Sequence, residues 1–311
     1  MKQEFIAKKK GPIIRVILKV VAFIGMLIYL IWRLQQENWS KVADLHALAI
    51  WMIFIAFFMM FLNQWIEFRK WYVLAAQLVS NRNTIWKSYF GGIASGFVTP
   101  NGWGNFIGRM VFFKKKDRLY IILASILTNA SQVMPTVIFG AIAAILSDRV
   151  PLLVRYLSVV VAIVLPSIYF FNDRILPKRK VRQRSLRHLQ LVQSRVGNFK
   201  LKLFLWSVLR YLVFSVQYVL LIMAFGYTDF WYILHSVWLI YLLTSFVPSL
   251  WSGKILIRET AAIYVFAGSG LEIPDIVLAS LLIWFINIVI PALVSSFVWL
   301  PVSIKKSHVV S

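Results

Sequence analysis

Cysteine is absent from the 311 residues. That absence excludes disulfides, a thiol nucleophile and any thiolate metal site. Acidic side chains are scarce, with 11 Asp and Glu against 34 Lys and Arg, for a formal charge of +23. The four histidines, His46, His188, His235 and His308, have no ligand spacing. No HExxH, DxD or GxSxG sequence occurs, and Ser252-Gly253-Lys254 lacks the leading glycine and the strand of a phosphate-binding loop. Neither a metal site nor a cofactor is expected, and no motif points to catalysis.

What is abundant is apolar. Sixty per cent of the chain is hydrophobic and its mean hydropathy is +0.76. A chain of this kind is expected to be an all-α integral membrane protein whose spans use nearly its whole length. The excess of Lys and Arg is then explained by the positive-inside rule and by anionic lipid, and nucleic acid is not expected as a partner. The basic start, Lys8 to Lys10, precedes a long apolar run at residues 13–32 without a small-residue cleavage site. It reads as a retained first span and not as a signal peptide.

Apolar runs and flanking charge give an order. Spans are expected at about 13–32, 45–66, 119–146, 152–171, 203–225 and 276–300. Glu67, Arg69 and Lys70 read as the cytoplasmic return after the second span, with 71–79 as a short interfacial helix. Two further apolar segments are broken at their middles. Residues 85–113 break at Thr99-Pro100-Asn101-Gly102-Trp103-Gly104 and carry basic residues at both flanks. Residues 230–267 break at 247–254, with Glu272 and Asp275 beyond. Each leg is shorter than the roughly 20 residues a helical crossing requires. Both segments read as re-entrant hairpins, the first open to the cytoplasm and the second to the outside.

The expected architecture is six full spans plus two re-entrant helical hairpins in a 4+4 inverted-topology repeat. Residues 1–150 form the first half and 151–311 the second. The loop 172–202 is rich in Arg and Lys with Asp173 its only acid. It places that side, and both termini, in the cytoplasm, and it is a candidate anchor for anionic lipid. The membrane expected is a bacterial inner membrane. Inverted repeats of this kind place a substrate near the midplane, between broken segments of the two halves.

The candidate site residues follow from that placement. Arg109 lies in an apolar leg, where a charge either snorkels to head groups beside Lys114 or meets an anion. Asn101, Gly102 and Gly104 carry backbone N–H groups suited to a phosphate. Lys254 and Arg258 are spaced to share a helix face, and Glu259 follows. That trio is either a local ion pair at the tip or a seat for a charged head group, with Glu259 a candidate for a coupling proton. Asn129, Gln132 and Asn287 sit in mid-span beside prolines. They are expected to satisfy freed carbonyls, to bond between helices or to line a pathway. Arg210, two turns into its span, reads as a snorkelling residue.

The run Gly96-Phe97-Val98-Thr99-Pro100 with Gly102, Gly104 and Arg109 resembles the first motif of the lysylphosphatidylglycerol synthase transmembrane region family, also called flippase-like or UPF0104. Val247-Pro248-Ser249 through Gly253, Arg258-Glu259-Thr260-Ala261 resembles its second motif, although Leu250-Trp251-Ser252 stand where that motif has paired glycines. The resemblance implies a fold with re-entrant hairpins and transfer of a phospholipid, or of a polyprenyl-phosphate-linked lipid, across the cytoplasmic membrane. No aminoacyl-transferase domain is expected in these residues. A membrane-embedded enzyme or accessory subunit of lipid-linked glycan metabolism is the alternative.

Overall fold

The computed structural model describes residues 35, 47–99, 104–175, 196–246 and 253–297. The expected first span, most of the basic loop and the tips of both broken segments lie outside these residues. Among the described residues the fold is all-helical. Its elements are α1 (Ala47–Ala75), α2 (Arg82–Val98), α3 (Gly104–Met110), α4 (Arg118–Leu146), α5 (Leu152–Ile175), α6 (Lys200–Met223), α7 (Phe230–Phe246), α8 (Gly253–Phe266) and α9 (Ile273–Trp284). A π-helical turn, Phe285–Val289, carries α9 onward to Phe297.

Five helices are long and apolar enough to cross a membrane: Leu48–Ala75, Lys115–Leu146, Leu152–Phe171, Lys200–Met223 and Ile273–Phe297. They fit a multi-pass membrane protein. The side-chain distribution agrees with a hydrocarbon surround. On α1 the outward side chains are Trp51, Phe54, Phe58, Phe61 and Trp65, while Asn63 and Lys70 turn inward and are fully buried. In water the opposite sorting would be expected.

One expectation is corrected here. No break follows Ile66, and α1 runs without interruption through Glu67, Arg69 and Lys70 to Ala75. At 1.5 Å per residue, α1 is about 43 Å long and exceeds a hydrocarbon core of about 30 Å. Residues 71–75 are therefore its last turns and not a separate interfacial helix. The charges that look like a loop are tolerated because their side chains meet partners on α4 and α6.

Helix α6 runs antiparallel to α1. Gln217 bonds Ala56, Arg210 bonds Asn63, and the rings of Trp206 and Trp65 meet edge to face. Helix α4 packs against both, with the Tyr120 hydroxyl donating to the Leu74 carbonyl at its start and the Ser131 and Ser207 hydroxyls 2.9 Å apart near its middle.

Helices α2 and α3 form a tight antiparallel pair. A Cβ placed on Gly104 would lie 2.1 Å from the Ser95 carbonyl oxygen, and one on Gly108 would lie 2.1 Å from that of Gly91. Only glycine permits so close a backbone approach. Ser95 Oγ also donates to the Gly104 carbonyl at 2.6 Å. The open end of this pair packs with the start of α4, where Ile85, Phe113, Tyr120 and Ile121 share a core with Trp71 and Leu74. The pair α7–α8 packs at the other end of α4. Gly140 meets Leu242, and Arg149, just beyond α4, donates to the carbonyls of Val265 and Ala267.

Candidate functional site

The helix packing gathers a polar cluster around the middle of α4. Gln132 stands fourteen residues into that 29-residue helix. Its Oε1 accepts from Lys70 Nζ at 3.1 Å. Lys70 also pairs with Glu67 at 3.1 Å, and Arg210 reaches the same Glu67 oxygen at 3.5 Å. Arg210 Nε donates to Asn63 Oδ1 at 2.9 Å. Glu67 and Lys70 are a turn apart on α1, so packing against α6 delivers both to one place.

Arg109 completes the cluster from α3. It is 1% exposed, and its guanidinium carbon lies 4.2 Å from the centre of the Trp71 ring. One long bond of 3.5 Å joins it to Ser125 Oγ, and its Nε has no hydrogen-bond partner. Guanidinium has five N–H donors in a fixed plane, so most of this capacity is unspent. Gly92 makes the room, because a Cβ there would fall 2.9 Å from Arg109 Cγ and Nε. The same missing Cβ admits Asn105 Oδ1, which is buried and unpartnered.

Among the described residues the charge does not balance. Lys70 and Arg210 pair with Glu67, Arg109 lies within electrostatic reach of it, and no second carboxylate joins the cluster there. Removing a cation from water without an opposite charge costs several kcal/mol. A ligand with a phosphate or carboxylate would supply the missing charge and accept the spare donors. The arrangement can hold an anionic group while leaving Glu67 near any positive part of the same molecule.

A polar ladder leads away from this cluster. Asn63 Nδ2 donates to Asn287 Oδ1 at 2.6 Å, and Asn287 Nδ2 donates to Gln217 Oε1 at 2.9 Å. Gln64 Nε2 reaches the Asn287 carbonyl at 3.4 Å, and the Tyr89 hydroxyl donates to Gln64 Oε1 at 2.9 Å. Asn287 lies in the π turn, where backbone bonding is loosened, and its side chain also donates to the Ile283 carbonyl at 3.2 Å.

The expected residues thus separate into groups. Arg109 does not snorkel to a surface, and Gln132 and Asn287 both join the buried network. Asn129 is exposed on α4 and does not join the network that Gln132 enters. The Gly104 amide is not turned to a ligand; it donates to Thr99 Oγ1 at 2.6 Å within the α2–α3 pair. Asn101, Gly102 and the Lys254 side chain lie outside the described residues. Arg258 and Glu259 are buried at 7% and 0% exposure in a second polar region beside Tyr218 and Ser280. The two described helix pairs pack at opposite ends of α4, each with its own core.

Asn63, Glu67, Lys70 and Arg210 escape a reading based on charge and length, although a signal for them exists. The spacing Ala56, Met60, Asn63, Glu67, Lys70, Leu74 is one continuous helical stripe. Followed through the charges, it predicts one long helix with its polar side inward.

Comparisons with protein-family models, with curated proteins and with solved structures find no match to this chain.

Proposed function

We propose that the chain is a lipid translocase that passes a phospholipid or polyprenyl-phosphate-linked lipid with an anionic or zwitterionic head group across a bacterial inner membrane. The observation that carries this reading is the gathering of Lys70, Arg109 and Arg210, from three different helices, around Glu67, the one carboxylate of the cluster among the described residues. In this reading Arg109 and Lys70 attract the head-group phosphate, and Glu67 attracts an amine on the same head group. Asn63, Gln132 and Asn287 supply neutral hydrogen bonds that hold the cations in place.

In this reading α2–α3 and α7–α8 are re-entrant hairpins of an inverted 4+4 arrangement, with the basic loop 172–202 and both termini on the cytoplasmic side. The packing of the two pairs at opposite ends of α4 supports it, since hairpins entering from opposite faces require that placement. Alternating access then consists of one pair moving against the long helices while the cationic cluster stays at the midplane.

The test is transfer of fluorescently labelled phosphatidylglycerol between leaflets of proteoliposomes, read by quenching from outside. Wild-type protein is expected to expose the inner-leaflet probe faster than protein-free vesicles. Arg109→Gln and Arg210→Gln are expected to slow transfer by about tenfold or more, the scale of one lost charge-assisted contact. Size-exclusion profiles and helical content identify variants that remain folded. Folded variants that transfer lipid at the wild-type rate would remove these arginines from the site, and wild-type transfer equal to empty vesicles would end the lipid reading.

A further inference from the structure

The second polar region is built differently from the first. Glu259 on α8 is 0% exposed, and both of its carboxylate oxygens are without a hydrogen-bond donor. Around it lie the Tyr218 hydroxyl from α6 and the Ser280 hydroxyl from α9, each 0% exposed and each also unpartnered. Arg258 precedes it in sequence, but successive residues on a helix point about 100° apart. No ion pair joins Arg258 to Glu259 among the described residues, and Arg258 Nε is itself unpartnered. Tyr241 on α7 faces Arg258, so the titratable and charged groups around Glu259 are Tyr218, Arg258 and Tyr241.

An ionised carboxylate here would carry a buried charge with no cation paired to it among the described residues and only two neutral hydroxyls beside it, a costly placement. A carboxylic acid would not. Its O–H donates to the Tyr218 or Ser280 oxygen, and its carbonyl accepts from the other hydroxyl. One added proton therefore satisfies three groups from three helices at once. A metal cation fits less well. Only four side-chain oxygens converge from the described residues, Na⁺ and larger ions take more, and the Arg258 charge stands next to the site.

We propose that Glu259, Tyr218 and Ser280 form a buried proton-binding site that is loaded and emptied during the working cycle. When it empties, the Glu259 O–H bond breaks, the proton passes to water, and the carboxylate must find a new donor. A rotation of α8 would turn Glu259 away from Tyr218 and Ser280 toward such a donor. Proton loading is thereby tied to the position of the α7–α8 pair. The link to lipid transfer rests on the function proposed above, whereas the proton site itself does not.

Infrared difference spectroscopy on the full chain in proteoliposomes tests the site without any transport assay. Wild-type protein is expected to show a protonated-carboxyl C=O band that shifts in D₂O and disappears as the pH is raised. Glu259→Gln, which keeps the shape, is expected to lose that band. Tyr218→Phe is expected to keep the band and move the pH at which it vanishes, an outcome a merely structural role for Tyr218 would not give. A wild-type spectrum without the band at any pH, a band that survives in a folded Glu259→Gln protein, or binding of radioactive Na⁺ that Glu259→Gln abolishes would each overturn the proposal. In proteoliposomes that move lipid, a pH gradient is expected to change the wild-type rate and leave the Glu259→Gln rate unchanged. A gradient that acts equally on both refutes the coupling. Absence of lipid transfer with the carboxyl band intact would overturn the lipid reading alone.

Discussion

The guanidinium of Arg109 lies over the ring of Trp71, its central carbon 4.2 Å from the ring centre, and the indole N–H is donated to Ser88 Oγ at 2.9 Å. The cation is thus held by a π-face that is itself pinned to α2. Trp71→Phe keeps a ring but loses the pin, and is expected to lower stability by about 1–2 kcal/mol. Trp71→Ala leaves a large cavity and an unsupported charge, with an expected loss of roughly 3–5 kcal/mol. Thermal unfolding in detergent, followed by size exclusion, ranks the two; equal midpoints would show that the ring does not carry Arg109.

Among the described residues Glu67 is the single counter-charge near Lys70, Arg109 and Arg210. Glu67→Gln is expected to cost roughly 3–5 kcal/mol, because it leaves the cations buried and uncompensated. Adding Lys70→Gln to it is expected to restore part of that loss. The double-variant cycle reads this coupling directly, and additive losses would mean that Lys70 and Glu67 do not act as a pair.

The α2–α3 pair depends on missing side chains in an uneven way. Gly108→Ala is expected to force the helices apart and cost on the order of 1–3 kcal/mol, since the intruded group is backbone. Gly96→Ala meets its nearest neighbour, Asn105 Cβ, at 3.4 Å and is expected to be tolerated. Comparable melting points for the two variants would show that the pair is looser than its contacts imply.

Asn287 joins Asn63 on α1 to Gln217 on α6. Asn287→Ala is expected to cost about 1–3 kcal/mol through the partners it leaves unbonded. Combined with Asn63→Ala, the effect is expected to fall short of the sum. Strict additivity in denaturant unfolding would separate the two asparagines.

Much of the helical plan is legible in the sequence because long apolar runs bounded by charge have few alternatives. The helices at 118–146, 152–175 and 200–223 begin and end within a few residues of where the runs do. Glu67 and Lys70 are different. Local charge density reads them as a loop, and only the packing of α4 and α6, remote in sequence, makes them helix interior. Arg210 follows the same logic, since nothing near it reveals that Asn63 and Glu67 await it 147 and 143 residues earlier. Arg109, Gln132, Asn287, Arg258 and Glu259 can be picked out because a polar residue within an apolar run is conspicuous. Their division into two separate polar regions depends on which helices touch, and that information is not local.

The wide turn at Phe285–Val289 holds one residue more than regular winding allows. The wider winding absorbs that residue, so the turns beyond keep the facing they would have without it. Rewinding the same residues at ordinary pitch would swing everything beyond by about 100° around the axis. Ala292 and Ser295, now enclosed at 2% and 0% exposure, would turn toward lipid, and Leu293 and Phe297 would lose their outward place. Deleting one residue other than Asn287 inside the turn therefore leaves the final turns of α9 facing as they do, and is expected to be better tolerated than the same deletion in a regular stretch such as α6.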